Sequence, residues 1–210
     1  MKKFLLTGLI AALLILPLGN VALAESQEAS QPESQGEEYV PGGVPAQTGA
    51  LESMEPALHA VLMAMLNHDA ASFDTSDTAL AWESLYNMLS LYGQLDDRSQ
   101  YQGEDLLVPS ETVRDYAAAL VDSFDTLGPL PEFLTDRLTC DAASDSYLVV
   151  CGNDSLAEIQ IRSTQNSGGT LSVTGDLVYL VDGSDLAQFR ATLQPRDNMF
   201  GYTIAEMELL

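Results

Sequence analysis

Beyond residue 24 the chain contains no lysine, and its only full cations are six arginines, set against 31 Asp and Glu. The formal charge of the whole sequence is −23, and without Lys2 and Lys3, which lie in a stretch of 24 residues holding no acid, it becomes −25. A polyanion of this size repels phosphate. Nucleic acid and anionic lipid headgroups, which are bound through clustered Lys and Arg, are therefore excluded as partners. Cysteine is nearly absent too. Cys140 and Cys151 are the only two, and their spacing is not the Cys-x-x-Cys of a redox pair. There are two histidines, His59 and His68, nine residues apart on one predicted helix. At 100° per residue they point to opposite sides, which excludes a shared metal while both remain helical.

The inventory of catalytic motifs is equally thin. No Gly-x-Ser-x-Gly elbow and no Ser-x-x-Lys is present, and no lysine remains to act as a base. Cys140 and Cys151 fall in predicted strands, away from any helix start that would activate a thiolate. Ser167-Gly168-Gly169 and Asp182-Gly183 lack a following Lys or helix and read as hairpin turns, not as phosphate loops. No segment fits the calcium-binding helix-loop-helix pattern, and no cofactor is expected. Carboxylates are the one abundant catalytic material, as in Asp96-Asp97 and Glu104-Asp105, and most acids of so acidic a chain are simply solvated.

No apolar run reaches the ~20 residues that a bilayer-spanning helix requires. The longest, Phe4 to Leu18, is interrupted by Pro17, follows Lys2 and Lys3, and is succeeded by Ala22-Leu23-Ala24. That is the layout of a signal peptide cleaved after Ala24, so the expected location is extracellular or at a bacterial cell envelope, with no membrane insertion after cleavage. Asn153-Asp154-Ser155 matches a glycosylation sequon, which carries no weight in a chain with a bacterial type of leader. Residues 25–50 are rich in Glu, Ser, Gln, Gly and Pro and read as a disordered acidic linker, because they offer too little apolar surface to offset the entropy of ordering. Residues 51–210 then have the size and apolar content of a single domain.

Within that domain three helical patterns come first. Met54, Leu58, Val61, Leu62 and Met65 recur at three- and four-residue steps, and His59 falls on the rim of that stripe, in reach of a solvated contact with Glu55. A second helix is predicted from Thr78 to Tyr92, capped by Asp77 and ended by Gly93, with Trp82, Leu85, Leu89 and Tyr92 on one side. The third starts at Ser110 and stacks Val113, Ala117, Leu120 and Phe124 before Gly128-Pro129. Asp105 to Val108, between the second and third helices, is too short for a helix and reads as a single edge strand.

From Arg137 onward the period changes to two. Ala157, Ile159 and Ile161 alternate with Glu158, Gln160 and Arg162, and Ala187, Phe189, Ala191 and Leu193 alternate with polar residues, so each strand buries one face. Turn residues at 167–169, 182–185 and 195–198 join them as antiparallel hairpins. Gly175 interrupts a long strand where a bulge would let it bend. Cys140 and Cys151 flank the turn at 141–146, and a disulfide between neighbouring strands suits an exported protein; two reduced thiols are the alternative.

Helices followed by hairpin-linked strands define an α+β domain, three N-terminal helices on a curved antiparallel sheet. This order resembles the cone-shaped fold of the NTF2-like superfamily, with the cystatin-like folds as relatives in shape, and the resemblance covers residues 51–210 through element order alone. It implies a pocket between sheet and helices. Enzymes of that superfamily place an acid or histidine inside the cone, and no inward polar pair is identifiable here. Trp82, Tyr86, Tyr92, Tyr147, Tyr179, Phe189 and Tyr202 fit core positions by their spacing, and Trp82, Tyr147, Tyr179 and Phe189 are the candidates for lining an apolar pocket. The function expected is that of an exported, non-enzymatic binding protein for a protein, peptide or small ligand, one form being a modulator that docks on a basic wall-associated enzyme. The alternative is a small secreted hydrolase or isomerase using carboxylates in the cone.

Overall fold

The computed structural model describes residues 46–152 and 156–210. The leader over residues 1–24, the linker up to residue 45 and the Asn153-Asp154-Ser155 sequon lie outside the described residues.

The elements run α1 (Ala46–Asn67), β1 (Ser72–Asp74), α2 (Thr78–Tyr92), β2 (Gln100–Gln102), β3 (Asp105–Pro109), α3 (Ser110–Ala117), β4 (Leu138–Asp141), β5 (Ser146–Val150), β6 (Ala157–Ser167), β7 (Thr170–Tyr179), β8 (Asp185–Pro195) and β9 (Tyr202–Leu209). The class is α+β with antiparallel sheets, as the change of period implies. The strands do not form one sheet, however. They divide into a five-stranded sheet of order β1-β9-β8-β7-β6 and a four-stranded sheet of order β2-β3-β5-β4.

The helices are divided as well. α1 lies against β1, β6 and β9 of the first sheet, while α2 packs along α1 and onto β5 of the second, with α3 beside it against β3 and β5. This replaces the expectation of three helices on a single curved sheet. The physical reason is visible in α1, which begins at Ala46, five residues before Leu51. Its predicted stripe is fully buried, but so are Ala57, Ala60 and Ala64 between the stripe positions. A helix that is apolar on most of its circumference needs partners on more than one side, and α2 supplies the second. One continuous core results, joining Leu58 and Leu62 to Trp82 and Leu85, to Leu106 and Val149 of the second sheet, and to Leu177 and Phe189 of the first.

α2 starts where its cap predicts. The Asp77 side chain accepts from the Leu80 N–H at 3.0 Å, satisfying a donor that the first helical turn leaves unpaired. α3 is shorter than its apolar spacing suggests, ending at Ala117 and not near Phe124. The carbonyls that would continue it are taken by the first sheet: Ala118 O accepts from Asn198 Nδ2 and Thr203 Oγ1, and Ala119 O accepts from the Ile204 N–H at 2.8 Å. β3 is not an edge strand either, because it pairs with β2 on one side and β5 on the other.

The bulge near Gly175 sits on the opposite strand from the one expected. Ile161 pairs with Gly175 and Ser163 with Thr174, leaving Arg162 of β6 as the extra residue. Gly175 itself is required for space. A Cβ there would lie 2.6 Å from the Gln160 carbonyl oxygen and 2.9 Å from Phe189 Cε1.

Candidate functional site

An open groove of about 430 Å³ lies where α2 meets the ends of β6, β7 and β8. It is lined by Met63 of α1, by Tyr86, Asn87, Ser90 and Leu91 of α2, by Gly152, and by Leu156, Ala157, Tyr179 and Leu186. The α2 residues follow i, i+1, i+4, i+5 spacing and form a helix face beside the Trp82–Leu85–Leu89 stripe, which is committed to the core. Leu186 reaches the groove through a bulge. Leu177 pairs with Ala187 and Val178 with Asp185, so Leu186 is the unpaired extra residue of β8, and a bulge re-aims such a side chain.

Three polar side chains of the lining, Tyr86, Asn87 and Ser90, are already engaged by the protein. Asn87 Nδ2 donates to Ala60 O at 3.2 Å, Ser90 Oγ accepts from the Gly152 N–H at 2.9 Å, and Tyr86 Oη donates to Val150 O at 2.9 Å. The Tyr86 ring carries the Arg137 guanidinium 4.7 Å from its centroid, and Arg137 in turn pairs with the buried Glu83 carboxylate at 2.9 Å. What the groove presents is therefore mainly apolar side chain, with the hydrogen bonds of Tyr86, Asn87 and Ser90 fixing the walls. Beside it the apolar surface continues outward: Leu156, Leu180, Val181 and Leu186 are 57%, 51%, 68% and 48% exposed. Leu180 and Leu156 are held side by side by the Leu180 N–H donating to Leu156 O at 2.7 Å.

Of the four aromatic residues expected to line a pocket, Tyr179 lines this groove. Trp82 is buried, donating its indole N–H to Leu127 O at 3.1 Å and meeting Phe124 edge-to-face at 5.6 Å. Phe189 is fully buried against Gly175, and Tyr147 sits half-buried in β5 across from Cys140. Among the groove residues that spacing did not flag for a pocket are Tyr86, Leu156 and Leu186. A signal existed in the apolar run Leu177-Val178-Tyr179-Leu180-Val181, which continues past the alternation of β7 straight into the Asp182-Gly183 turn.

The cysteines are not joined. Cys140 pairs in register with Tyr147, four positions along β5 from Cys151, which at the ~3.3 Å rise of a strand separates the two by roughly 13 Å. A disulfide requires Cα atoms within about 7 Å, so the β4–β5 register itself prevents the bond that the spacing suggested.

His59 corrects a second expectation. It is not at a solvated rim but 2% exposed, with Nδ1 2.6 Å from Tyr92 Oη. Burial pushes its pKa down to about 4, so the ring is neutral near neutral pH. Burial, then the nearby Glu55 charge, holds the Tyr92 hydroxyl above its ordinary value. His68 packs elsewhere, edge-to-face with Phe133 at 5.4 Å. Among the described residues no group of three His, Cys, Asp or Glu side chains is arranged to hold a metal ion, and no helix is long and apolar enough to cross a membrane.

No protein-family model matches the chain, and no curated protein matches it.

Proposed function

We propose that this is an exported, non-catalytic binding protein whose α+β domain holds an apolar group of a partner in the groove between α2 and the β7–β8 end of the first sheet. The observation that carries the reading is a groove of about 430 Å³ in which Tyr86, Asn87 and Ser90 are turned to internal hydrogen bonds and the rest of the lining is predominantly apolar. That volume falls in the range of small-ligand and side-chain pockets. An exposed apolar rim of this kind marks an interaction surface more often than an idle one.

Export rests on the leader through Ala24, and the domain shape on the element order, which resembles that of the NTF2-like superfamily. The long bulged strands β6 to β9 support that resemblance, and the separate four-stranded sheet is an addition to it. The most deeply buried carboxylates, Glu83 and Asp176, are each bound to an arginine and not to each other.

A neutral environment-sensitive fluorophore, N-phenyl-1-naphthylamine, tests the groove directly. The purified protein is expected to enhance its emission in a saturable, single-site manner, and Leu186→Glu to abolish the enhancement while the circular dichroism spectrum stays unchanged. Enhancement that survives Leu186→Glu, or no enhancement at all, would sink the reading.

A further inference from the structure

Among the described residues β6 is the longest edge strand. The order β1-β9-β8-β7-β6 gives it β7 as its one strand neighbour, and its 11 residues contrast with 3 in β1 at the other end of that sheet. The edges of the second sheet, β2 and β4, have 3 and 4. A short edge offers little to pair with, whereas a long one presents a continuous row of backbone N–H and C=O groups. No proline or lysine guards β6, and its one irregularity is the bulge at Arg162, which bends the strand beyond that point.

Up to the bulge the strand reads Glu158-Ile159-Gln160-Ile161-Arg162. Its two faces differ in chemistry. Ile159 and Ile161 pair in register with Leu177 and Gly175 and pack against the core, yet they stay only half-buried, with no strand beyond them among the described residues. Glu158, Gln160 and Arg162 share the opposite face: Gln160 pairs in register with Asp176, and Arg162 reaches the same Asp176 carboxylate. This segment complements itself when run antiparallel. With Gln160 opposite Gln160 of a second copy, Ile159 falls opposite Ile161 and Glu158 opposite Arg162, each contact occurring twice by symmetry. Centring the pairing on either isoleucine loses the match of Glu158 with Arg162.

We infer that two copies of this chain associate by antiparallel pairing of β6 over residues 158–162, with Gln160 on the two-fold axis. The isoleucines of each copy are then covered by those of the other, and both ends of the paired segment carry a cross-strand ion pair. Arg162 has the capacity for two carboxylates. Its bond to Asp176 runs through Nε, one of five guanidinium N–H donors, and its side chain is 59% exposed. Glu158 is exposed as well, accepting from Gln160 Nε2 at 3.1 Å. Because pairing occupies the long edge of both copies and leaves only the 3-residue β1 at each end, association closes at a dimer. The dimer does not depend on what the groove binds.

Sedimentation equilibrium and directed cross-linking of the purified protein test the pairing. The native sequence is expected to approach twice the mass of a single chain as its concentration rises. Glu158→Arg sets like charges opposite each other at both contacts, and is expected to raise the dimer dissociation constant about tenfold or more at an unchanged circular dichroism spectrum. In a Cys140→Ser/Cys151→Ser background, Gln160→Cys is expected to give a disulfide-linked dimer under copper–phenanthroline oxidation, because residues directly opposite in an antiparallel pair have Cα atoms about 4.5–5.5 Å apart. Gln165→Cys in the same background, five positions from the axis, is expected to stay uncross-linked. A monomer at every concentration overturns the inference. A dimer indifferent to Glu158→Arg, or one that cross-links as readily through Gln165→Cys as through Gln160→Cys, also overturns it, as association through another surface.

Discussion

Acidification should unfold this protein partly through a single buried imidazole. His59 is 2% exposed, and its pKa is pushed from the ordinary 6.5 to about 4 because charging it would place a cation in the α1–α2 interface, against Tyr92 Oη. The native state therefore binds fewer protons at His59 than the unfolded chain between about pH 6.5 and pH 4. Its share of stability is intact above pH 6.5, is lost as pH falls through that window, and shows no further loss below about pH 4, where both states carry the proton. At ~1.4 kcal/mol per pH unit the loss amounts to about 3 kcal/mol.

Because 31 acids also titrate in this chain, the effect is read as a difference between proteins. Urea unfolding of the native sequence and of His59→Gln, followed by circular dichroism from pH 7 to pH 4, should show the native sequence losing about 3 kcal/mol more than the variant over that range. Parallel stability curves would refute the argument. So would an imidazole resonance of His59 that titrates near 6.5 in the folded native protein, a measurement that does not depend on the variant folding.

Gly175→Ala should destabilise the domain by about 2 kcal/mol or more in urea unfolding, because the new Cβ meets the Gln160 carbonyl at 2.6 Å and the Phe189 ring at 2.9 Å inside a paired strand; an unchanged midpoint would mean that the strand gives way freely. Arg137→Ala should cost about 2 kcal/mol, less than a fully buried pair because Arg137 is 38% exposed, by leaving the Glu83 carboxylate buried alone. Adding Glu83→Gln should recover part of that loss, and failure to recover would show that Arg137 acts through packing on Tyr86 instead. Thiol titration of the unreduced, denatured protein should find both Cys140 and Cys151 reactive, with no change in melting temperature on adding reductant. A bond revealed by mass spectrometry would require a different β4–β5 register.

Elements with a strong local signature are legible in the sequence alone. Asp77 caps α2 because a carboxylate at that position satisfies an orphan N–H, and the turns at 168–169 and 183 form where glycine accepts a positive φ. β7 over 171–174 and β8 over 189–193 alternate because one face of each is buried there. What local spacing does not contain is which partner an element meets. The apolar stripe of α3 looks longer than the helix because Ala118 and Ala119 surrender their carbonyls to residues about 80 positions away. His59 looks solvated by spacing because a stripe shows which side of a helix faces a core, but not that α2 covers the neighbouring side as well.

Charge, hydrophobic period and turn chemistry each act over a few residues, and they are enough for the compositional limits, the α+β class and the antiparallel hairpins. The division into two sheets, the separation of the cysteines by strand register, and the groove that brings Tyr86, Tyr179 and Leu186 together came only with the tertiary arrangement. Pairing register and bulge offsets arise from contacts between distant segments, and a shift of one residue would have turned different side chains toward the same space.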